Sequence, residues 1–218
     1  CHAIGGWMAD ADGRPTPVGS CALSDLATFS FHPVKTVTMG EGGAVTTNSA
    51  ALARRLRDLR GHGIVRDPAR FQDADAAFDA AGRPNPWYYE MQALGYNYRA
   101  CDLQCALGLS QLGKLARFVA RRAELVAAYD AALGPGDRLV RPIARVEMRA
   151  PGWHLYPVLI DFQAAGRDRA SVMRALAAAG VGTQLHYIPV PDQPYWRDAA
   201  RRSAYPGARA YAARALSL

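Results

Sequence analysis

The pattern of apolar and polar residues predicts two short strands with a glycine-rich loop between them. Residues 27–31 (ATFSF) and 43–47 (GAVTT) have the β-branched and aromatic composition of strands. The segment between them, HPVKTVTMGEGG, has a proline near its start and three glycines at its end, which is typical of a loop. The pattern therefore predicts a strand–loop–strand unit in the early part of the chain.

A helix is predicted directly after this unit. Leu52, Leu56 and Leu59 recur at helical spacing and form one apolar stripe. Asn48 is the expected N-terminal cap, and Gly61 is the first of two glycines that end the helix.

Beyond this helix, residues 61–86 have no periodicity and contain several prolines, which predicts a long loop of functional or mobile character. The spacing turns helical again from Asp102, with Gly113 as a break or a close packing point, and a domain boundary is expected near 113–120. The later elements are strands near 138–144, 154–162 and 183–188, a helix at 167–179, and a helical tail from Trp196. Strands and helices mixed in this order indicate an α/β or α+β protein.

Composition narrows the function classes. The chain has 218 residues, of which 50% are hydrophobic and 21% are charged, as in an ordinary globular protein. No apolar run approaches the roughly 18 residues of a membrane-spanning helix, and no signal peptide is evident, so a cytoplasmic protein without a membrane partner is expected. The four cysteines lack the spacing of a metal site, and no metal is predicted.

The chain has a net charge of +7, and almost all of its basic residues are arginine. This charge would suit an anionic ligand such as a nucleic acid, but a G+C-rich genome explains it equally well. Because there is no basic stretch interleaved with aromatic residues and no zinc-finger spacing, no nucleic-acid partner is expected. A nucleic-acid binder would have a salt-sensitive affinity.

Lys35 is one of only two lysines in the chain, and its surroundings suggest chemistry. It lies in the glycine-flanked loop between the two predicted strands, where its amine could form an imine with an aldehyde cofactor. Ser30 ends the first strand, where its hydroxyl could bind a phosphate oxygen. From these residues alone, a surface lysine and ordinary turn glycines are the more common interpretation.

Two long segments carry a more specific resemblance. SDLATFSFHPVKTVTMGEGGAVTTN and WYYEMQALGYNYRACDLQCALGLSQL are similar to the active-site lysine segment and a later segment of the DegT/DnrJ sugar aminotransferases. The segments LRGHGIVRD, WHLYPVLID and GVGTQLHYIPV extend the resemblance in the same order over nearly the whole chain. Within that family, the chain resembles the transaminases of the pseudaminic-acid pathway.

The resemblance implies an α/β protein with the PLP-dependent transferase fold, which is aspartate-aminotransferase-like and of fold type I. Residues 1–115 would be the C-terminal part of the PLP-binding large domain. Residues 116–218 would be a small α+β C-terminal domain, and this domain is expected to be incomplete. The implied partners are L-glutamate, a UDP-linked keto sugar and a second copy of the chain in a homodimer with shared active sites.

The resemblance also assigns the site residues. Lys35 would hold pyridoxal 5′-phosphate as a Schiff base and act as the catalytic proton shuttle. Ser30 would bind the cofactor phosphate, and Asn97 would reach that phosphate from the partner subunit. His2 would lie beside the pyridine ring. The substrate-binding candidates are His186, near the sugar nucleotide, and Arg99, which would meet an anionic group or only a surface acid.

The implied reaction moves the amino group of L-glutamate to the 4-keto group of a UDP-linked N-acetylated 6-deoxy sugar. Related dehydratases carry histidine in place of the lysine, so Lys35 argues against dehydration. A non-catalytic PLP-fold regulatory or binding protein, and an aminotransferase for a different keto sugar nucleotide, remain alternatives. Three departures from the family pattern, at Met39, Cys101 and Pro191, bear on sugar specificity rather than on the lysine chemistry.

The ends of the chain give a further expectation. CHAIGG reads as the end of a strand, and RALSL has no helix-ending signal, so a chain truncated at both ends is expected. In the family, the aspartate that pairs with the pyridine nitrogen lies just upstream of the CHA element. The 218 residues alone are therefore expected to be nearly inactive, because this aspartate makes the ring an electron sink.

Overall fold

A computed structural model describes residues 2–134, 139–147, 149–196 and 204–218. It divides into two compact units, Cys1–Leu115 and Ala116–Leu218. The strands in the described part are β1 (Trp7–Ala9), β2 (Pro15–Pro17), β3 (Ala27–Ser30), β4 (Gly43–Thr46), β5 (Ile64–Val65), β6 (Glu90–Met91), β7 (Val140–Pro142), β8 (Arg149–Ala150), β9 (Pro157–Ile160) and β10 (Ala215–Ser217). The helices there are α1 (Ala50–Arg60), α2 (Ala74–Ala77), α3 (Asp102–Leu112), α4 (Leu115–Leu133), α5 (Arg169–Ala178) and α6 (Pro206–Arg214).

The two predicted strands form an antiparallel hairpin in the first unit, which confirms the expected strand–loop–strand unit. β3 pairs with β4 in a register that places Ala27 opposite Thr46 and Ser30 opposite Gly43. Two backbone hydrogen bonds close the base of the loop. The N–H of Phe31 donates to the carbonyl of Gly42, and the N–H of Met39 donates to the carbonyl of Phe31, both at 2.9 Å.

The loop of this hairpin supplies the core of the first unit. Phe31, Val37 and Met39 are buried and pack together. The partly buried residues that pack against them are Ile4, Phe29, Ala44 and Leu115. Because the loop buries its own apolar residues, its conformation is held by the same packing that stabilises the unit.

Helix α1 occurs where it was predicted, but its cap is different. Ser49, and not Asn48, is the N-cap, because its hydroxyl accepts the N–H of Leu52 at 3.3 Å. The amide of Asn48 instead donates to the carbonyl of Ser20 at 2.9 Å. Gly61 caps the C-terminus, as predicted. Serine and asparagine are both good caps, so the sequence could not separate two adjacent candidates.

The predicted long loop at 61–86 contains ordered elements, so that interpretation was wrong. β5 pairs with β6, and a 3-10 helix, Pro68–Arg70, precedes α2. The Glu90 carboxylate accepts the backbone N–H groups of Gln72 and Asp73 at distances of 2.7–2.9 Å. These contacts join residues about 18 positions apart, and periodicity within the segment gives no sign of them.

The predicted helical stretch from Asp102 is two helices. Gly113 is the C-cap of α3 and α4 begins at Leu115, so the break predicted at this glycine is confirmed. Helix α4 ends at Leu133, and Gly134, the residue after it, has a φ of +58°.

In the second unit, β9 lies between β10 and β7 in an antiparallel sheet. Its core contains Val126, Tyr156, Val158, Ile160 and Leu216. The strands predicted at 138–144 and 154–162 and the helix predicted at 167–179 correspond to β7, β9 and α5, although 138 itself lies outside the described residues.

The prediction of a strand at 183–188 was wrong. Only Gln184 pairs there, in an isolated bridge to Ser217, and the chain then continues to a 3-10 helix, Val190–Asp192. Pro189 and Pro191 cannot donate to a ladder, and a short apolar run does not by itself distinguish a strand from an irregular segment. The predicted helical tail is present as α6, with 197–203 outside the described residues, and β10 after it was not predicted.

Within the described ranges, no helix combines the length and the apolar character that crossing a bilayer requires. The described residues also contain no group of three or more His, Cys, Asp or Glu side chains arranged to hold a metal ion.

Candidate active site

Lys35 lies at the tip of the β3–β4 hairpin, and its position is fixed by a tight turn. Its backbone N–H donates to the carbonyl of His32 at 2.9 Å. Its side chain is half-buried, and Nζ lies 2.8 Å from Nε2 of His2. The structure thus brings together an amine and an imidazole that are 33 residues apart in sequence.

Ser30 occupies the last position of β3 on the same hairpin, half-buried and opposite Gly43. A Cβ atom on Gly43 would lie 2.5 Å from the carbonyl oxygen of Phe29, so only glycine allows β4 to pair this closely. Ser30 and Lys35 therefore sit five positions apart on one hairpin whose strands are held in close register.

Thr36 is a polar residue of the hairpin that sequence reasoning missed. It is 6% exposed, and its Oγ1 atom has no hydrogen-bond partner among the described residues. A buried hydroxyl without a partner loses its hydration without replacement, and such groups are rare in proteins. Its burial comes from packing of the loop, in which Val37, the next residue, is 1% exposed, so no local pattern in the sequence pointed to it.

The rest of the loop is internally hydrogen-bonded. The hydroxyl of Thr38 donates to the carbonyl of Phe31 at 3.3 Å and accepts the N–H of Gly40 at 3.1 Å. Gly40 has a φ of +82°, which favours glycine. Two threonines two residues apart therefore differ, since the Thr38 hydroxyl is paired and the Thr36 hydroxyl is not.

Asn97 and Arg99 lie on a different, exposed edge of the first unit. Asn97 pairs with Gly61 in an isolated antiparallel bridge. No hydrogen bond or ion pair in the described part of the chain joins either residue to Lys35 or Ser30. The structure therefore does not bring these two candidates to the lysine within one copy of the chain.

His186 belongs to the second unit, on the irregular segment that follows Gln184. Its side chain is half-buried, and Nδ1 lies 2.9 Å from the hydroxyl oxygen of Ser217. Its ring also lies perpendicular to the ring of Tyr187, with the ring centroids 4.7 Å apart. Ser217 was not a candidate, and nothing in the sequence links it to a histidine 31 residues away.

Comparison with known proteins identifies the fold in which this hairpin occurs. Residues 1–218 match the DegT/DnrJ/EryC1/StrS aminotransferase family. The chain belongs to this family. The predicted resemblance is thereby confirmed, and so is the fold class, because the mixed helices and strands match PLP-dependent sugar aminotransferases of fold type I.

Several relatives are informative. Spore coat polysaccharide biosynthesis protein SpsC of Bacillus subtilis is 34% identical over 200 residues, which cover 90% of this chain and 49% of SpsC. UDP-4-amino-4,6-dideoxy-N-acetyl-beta-L-altrosamine transaminase of Campylobacter jejuni is 35% identical, and the match covers 90% of this chain and 45% of that protein. The chain thus spans about half the length of the curated relatives it matches.

Solved structures of sugar aminotransferases have a fold similar to that of this chain. The chain superimposes along its full length on Helicobacter pylori PseC, an aminotransferase involved in the biosynthesis of pseudoaminic acid, with a TM-score of 0.79 and 26% identity over 52% of PseC. It also matches the PLP-form of the putative sugar aminotransferase Spr1654 from Streptococcus pneumoniae, with a TM-score of 0.78 and 25% identity over 50% of that chain. A PMP-form of Spr1654 matches as well. The family is PLP-dependent, as expected.

Proposed function

We propose that the protein is a PLP-dependent aminotransferase that transfers the amino group of L-glutamate to the keto group of a nucleotide-linked sugar. The observation that carries the proposal is the Lys35 amine, half-buried on a closed hairpin and 2.8 Å from the His2 ring. Membership in an aminotransferase family supplies the reaction class.

The residues of the hairpin fit the cofactor. When bound, PLP supplies an aldehyde that accepts amines and a ring that spreads the negative charge left by a broken C–H bond. Lys35 is the amine that would hold it, Ser30 offers a hydroxyl for its phosphate, and His2 offers a ring nitrogen for its polar edge. The unpartnered Thr36 hydroxyl also supports the fit, because a buried donor of this kind suits a polar group supplied from outside the chain.

Within this proposal, Lys35 moves the proton in both halves of the reaction. In that role its amine would accept a proton from one of the two carbons bonded to the reacting nitrogen and return it at the other, as a general acid and base. Imidazole can donate or accept at Nε2, so the His2 contact supports a role in holding the Lys35 amine in place.

The proposed substrate is a UDP-linked N-acetylated 6-deoxy sugar with a 4-keto group. Support comes from the altrosamine transaminase at 35% identity and from the match to PseC. Arg99 and His186 are the proposed substrate contacts. A keto sugar on a different nucleotide is the alternative, and a panel of UDP- and dTDP-linked keto sugars with L-glutamate would distinguish them by rate of amino-sugar formation.

We also propose a homodimer in which Asn97 serves the site of the second copy. The support comes from helix α3, in which polar side chains are half-buried and leucine side chains are exposed. Gln104 and Gln111 of α3 are half-buried, whereas Leu103 is 84% exposed and Leu109 is 73% exposed. A helix with its apolar face outward requires a covering partner. The aromatic residues next to it in sequence are also exposed, including Trp87, Tyr96 and Tyr98.

The cofactor assignment is tested by reducing the PLP-loaded full-length protein with borohydride and mapping the pyridoxyl mass by peptide. Labelling at Lys35 is expected, with Lys114 unlabelled as the internal control. Lys35→Ala should abolish the label and the 2-oxoglutarate formed from L-glutamate, whereas Lys114→Ala should preserve both. Scattered or absent labelling of the unmodified protein would contradict the proposal that the protein is an aminotransferase. Labelling at Lys35 without conversion of the cofactor by any amine donor would favour a non-catalytic binding protein.

The dimer is tested by measuring the solution mass of the full-length protein. Leu103→Glu with Leu109→Glu should convert a dimer into a monomer, and Arg55→Glu, an exposed α1 position, should leave the dimer intact. A monomeric unmodified protein would contradict the shared site. A dimer that survives the paired substitution would show that α3 is covered by another part of its own chain.

A further inference from the structure

Gln104 joins the beginning of helix α3 to the loop that carries Lys35. Its side-chain amide donates from Nε2 to the backbone carbonyl of Glu41 at 2.8 Å, and its Oε1 accepts the backbone N–H of Cys101 at 3.0 Å. A carbonyl can only accept and a backbone N–H can only donate, so these partners fix which end of the amide faces each of them. Gln104 and Glu41 are 63 positions apart in sequence, so this contact is set by the fold.

The carbonyl of Glu41 belongs to the part of the loop that is least restrained by its own residues. Gly40 has a φ of +82° and Gly42 has a φ of +157°, in a region where glycine is favoured because it has the greatest conformational freedom. The two backbone hydrogen bonds with Phe31 lie on either side of this turn, at Met39 and Gly42. A donor from outside the loop therefore restrains the glycine turn between them.

The same face of α3 also packs against the loop. Gly108 is buried one turn further along the helix, and a Cβ atom on it would lie 3.2 Å from Cβ of Met39. A Cβ atom on Gly42 would lie 2.5 Å from Sδ of Met39, so the Met39 side chain contacts both the glycine turn and the helix. Val37 is 1% exposed and packs with Met39 in the core of the unit. Contacts therefore run from α3 through Met39 and Val37 to the residues beside Lys35.

We propose that Gln104 is a positioning residue for Lys35, because its amide holds the glycine turn against α3 and so keeps the lysine amine in place for the cofactor. The link between helix and loop follows from contacts within the first unit, and its effect on the cofactor rests on the proposed function. A loop that samples other conformations presents the amine in the binding geometry for a smaller fraction of the time, and the apparent affinity falls by that fraction.

The variant that separates the two hydrogen bonds is Gln104→Glu in the full-length protein. An ionised glutamate keeps an oxygen that accepts the Cys101 N–H, as in a capping box, but it has no hydrogen for the Glu41 carbonyl. Helix α3 should therefore stay formed while the loop loses its link. In the cofactor-free protein, hydrogen exchange at Met39 and Gly40 should accelerate, and exchange along α3 should not. The affinity for PLP should fall about fivefold to tenfold, as expected for one lost hydrogen bond.

Gln111→Glu is the matched control, because it makes the same substitution on the same face of α3 two turns later. Among the described residues, the Gln111 side chain has no hydrogen-bond partner, so loop exchange and PLP affinity should both stay unchanged. Gln104→Met, an uncharged variant of similar length, removes both hydrogen bonds. It should weaken PLP binding as much as Gln104→Glu and should also accelerate exchange at the start of α3. This variant decides if Gln104→Glu fails to fold.

The outcomes distinguish the link, its role toward the cofactor and the proposed function. Unchanged exchange at Met39 in Gln104→Glu would show that the amide does not hold the loop. Faster exchange at Met39 with unchanged PLP affinity would refute the role toward the cofactor. PLP affinity that falls only when α3 also loses protection would reduce Gln104 to a helix cap. A full-length protein that binds no PLP would refute the proposed function, whereas the exchange measurement would still decide on the link between helix and loop.

Discussion

The hairpin around Lys35 and the segment around His186 both present a candidate site residue on non-regular backbone, but they are held in different ways. The hairpin is closed by hydrogen bonds between its own residues, and its loop buries Val37 and Met39. The His186 segment has no such closure. It is held by the backbone and hydroxyl of Ser217, about 30 residues later in the chain.

This difference predicts which substitutions should disturb each region. The hairpin should respond to substitutions within its own 20 residues, where glycines permit the close approach of backbone. The His186 segment should respond to substitutions in β10, which carries no candidate chemistry of its own. The comparison therefore predicts that a core substitution in β10 disturbs His186 and leaves the Lys35 hairpin ordered.

Leu216→Ala should have the largest effect. Leu216 is fully buried in the core of the second unit, and the loss of a buried leucine side chain destabilises a protein by about 2–5 kcal/mol. Hydrogen exchange should accelerate in β9, β10 and residues 184–186. Leu125→Ala is the matched control, because Leu125 is 45% exposed on α4 and its truncation should cost far less. Equal acceleration at the Lys35 hairpin would contradict the comparison.

Gly43→Ala should have the next largest effect, confined to the Lys35 hairpin. The added Cβ would meet the Phe29 carbonyl oxygen at 2.5 Å, so the strands must separate, at a cost of about 2 kcal/mol or more. Gly40→Ala is the control. Its Cβ would meet nothing within 4 Å, and only the positive φ would cost about 1 kcal/mol. Thermal unfolding and PLP affinity should both separate the two variants, and indistinguishable variants would show that strand contact at Gly43 does not matter.

The sequence predicts the locally determined elements of both regions. β3, β4, α1 and the break at Gly113 follow from periodicity and glycine placement, because those signals act over a few residues. The chemistry of Lys35 came from the resemblance, since a lysine in a loop is by itself uninformative. Its contact with His2 depends on the fold that brings residue 2 to residue 35.

The features that the sequence did not predict all depend on contacts between distant residues. The strand expected at 183–188 is replaced by one bridge to Ser217, and β10 itself has only three residues. The regular structure within residues 61–86 depends on contacts with the carboxylate of Glu90. Thr36 was missed because its burial comes from packing and not from any local pattern. The roles of Ser30, Asn97, Arg99 and His186 toward ligands stay predictions.

A smaller effect is expected from alkaline pH, through Tyr156 in the second unit. Burial, and then the hydrogen bond to Asp130 at 2.8 Å, raises the pKa of Tyr156 to about 12. A folded-state pKa above the unfolded value of about 10 gives stability that is fully present below pH 10 and is lost as the pH rises toward 12. Tyr156→Phe should therefore flatten the pH dependence of unfolding between about pH 10 and 12.

The control for this prediction is Tyr195→Phe, also in the second unit, because Tyr195 is 87% exposed. It should leave the alkaline slope of the unmodified protein unchanged. The measurement is the denaturation midpoint followed over that pH range, with hydrogen exchange of β9 to localise the change. An alkaline slope that persists in Tyr156→Phe would assign it to another group.

The smallest expected effect on stability, and the sharpest test of the hairpin as a cofactor site, comes from Thr36→Val. Valine has nearly the shape of threonine and removes the buried hydroxyl that has no partner among the described residues, so the unfolding free energy of the cofactor-free protein should stay equal or rise by up to about 1 kcal/mol. Thr38→Val is the matched control, because the Thr38 hydroxyl is paired with Phe31 and Gly40, and the loss of this hydroxyl should cost about 1–2 kcal/mol.

The affinity of the Thr36→Val variant for PLP gives the second readout. If the Thr36 hydroxyl meets a polar group that arrives with the cofactor, Thr36→Val weakens PLP binding about fivefold, as one lost hydrogen bond would. A variant that is more stable and binds PLP as tightly as the unmodified protein would show that the hydroxyl is a packing defect, and would leave Lys35, Ser30 and His2 to account for the cofactor site.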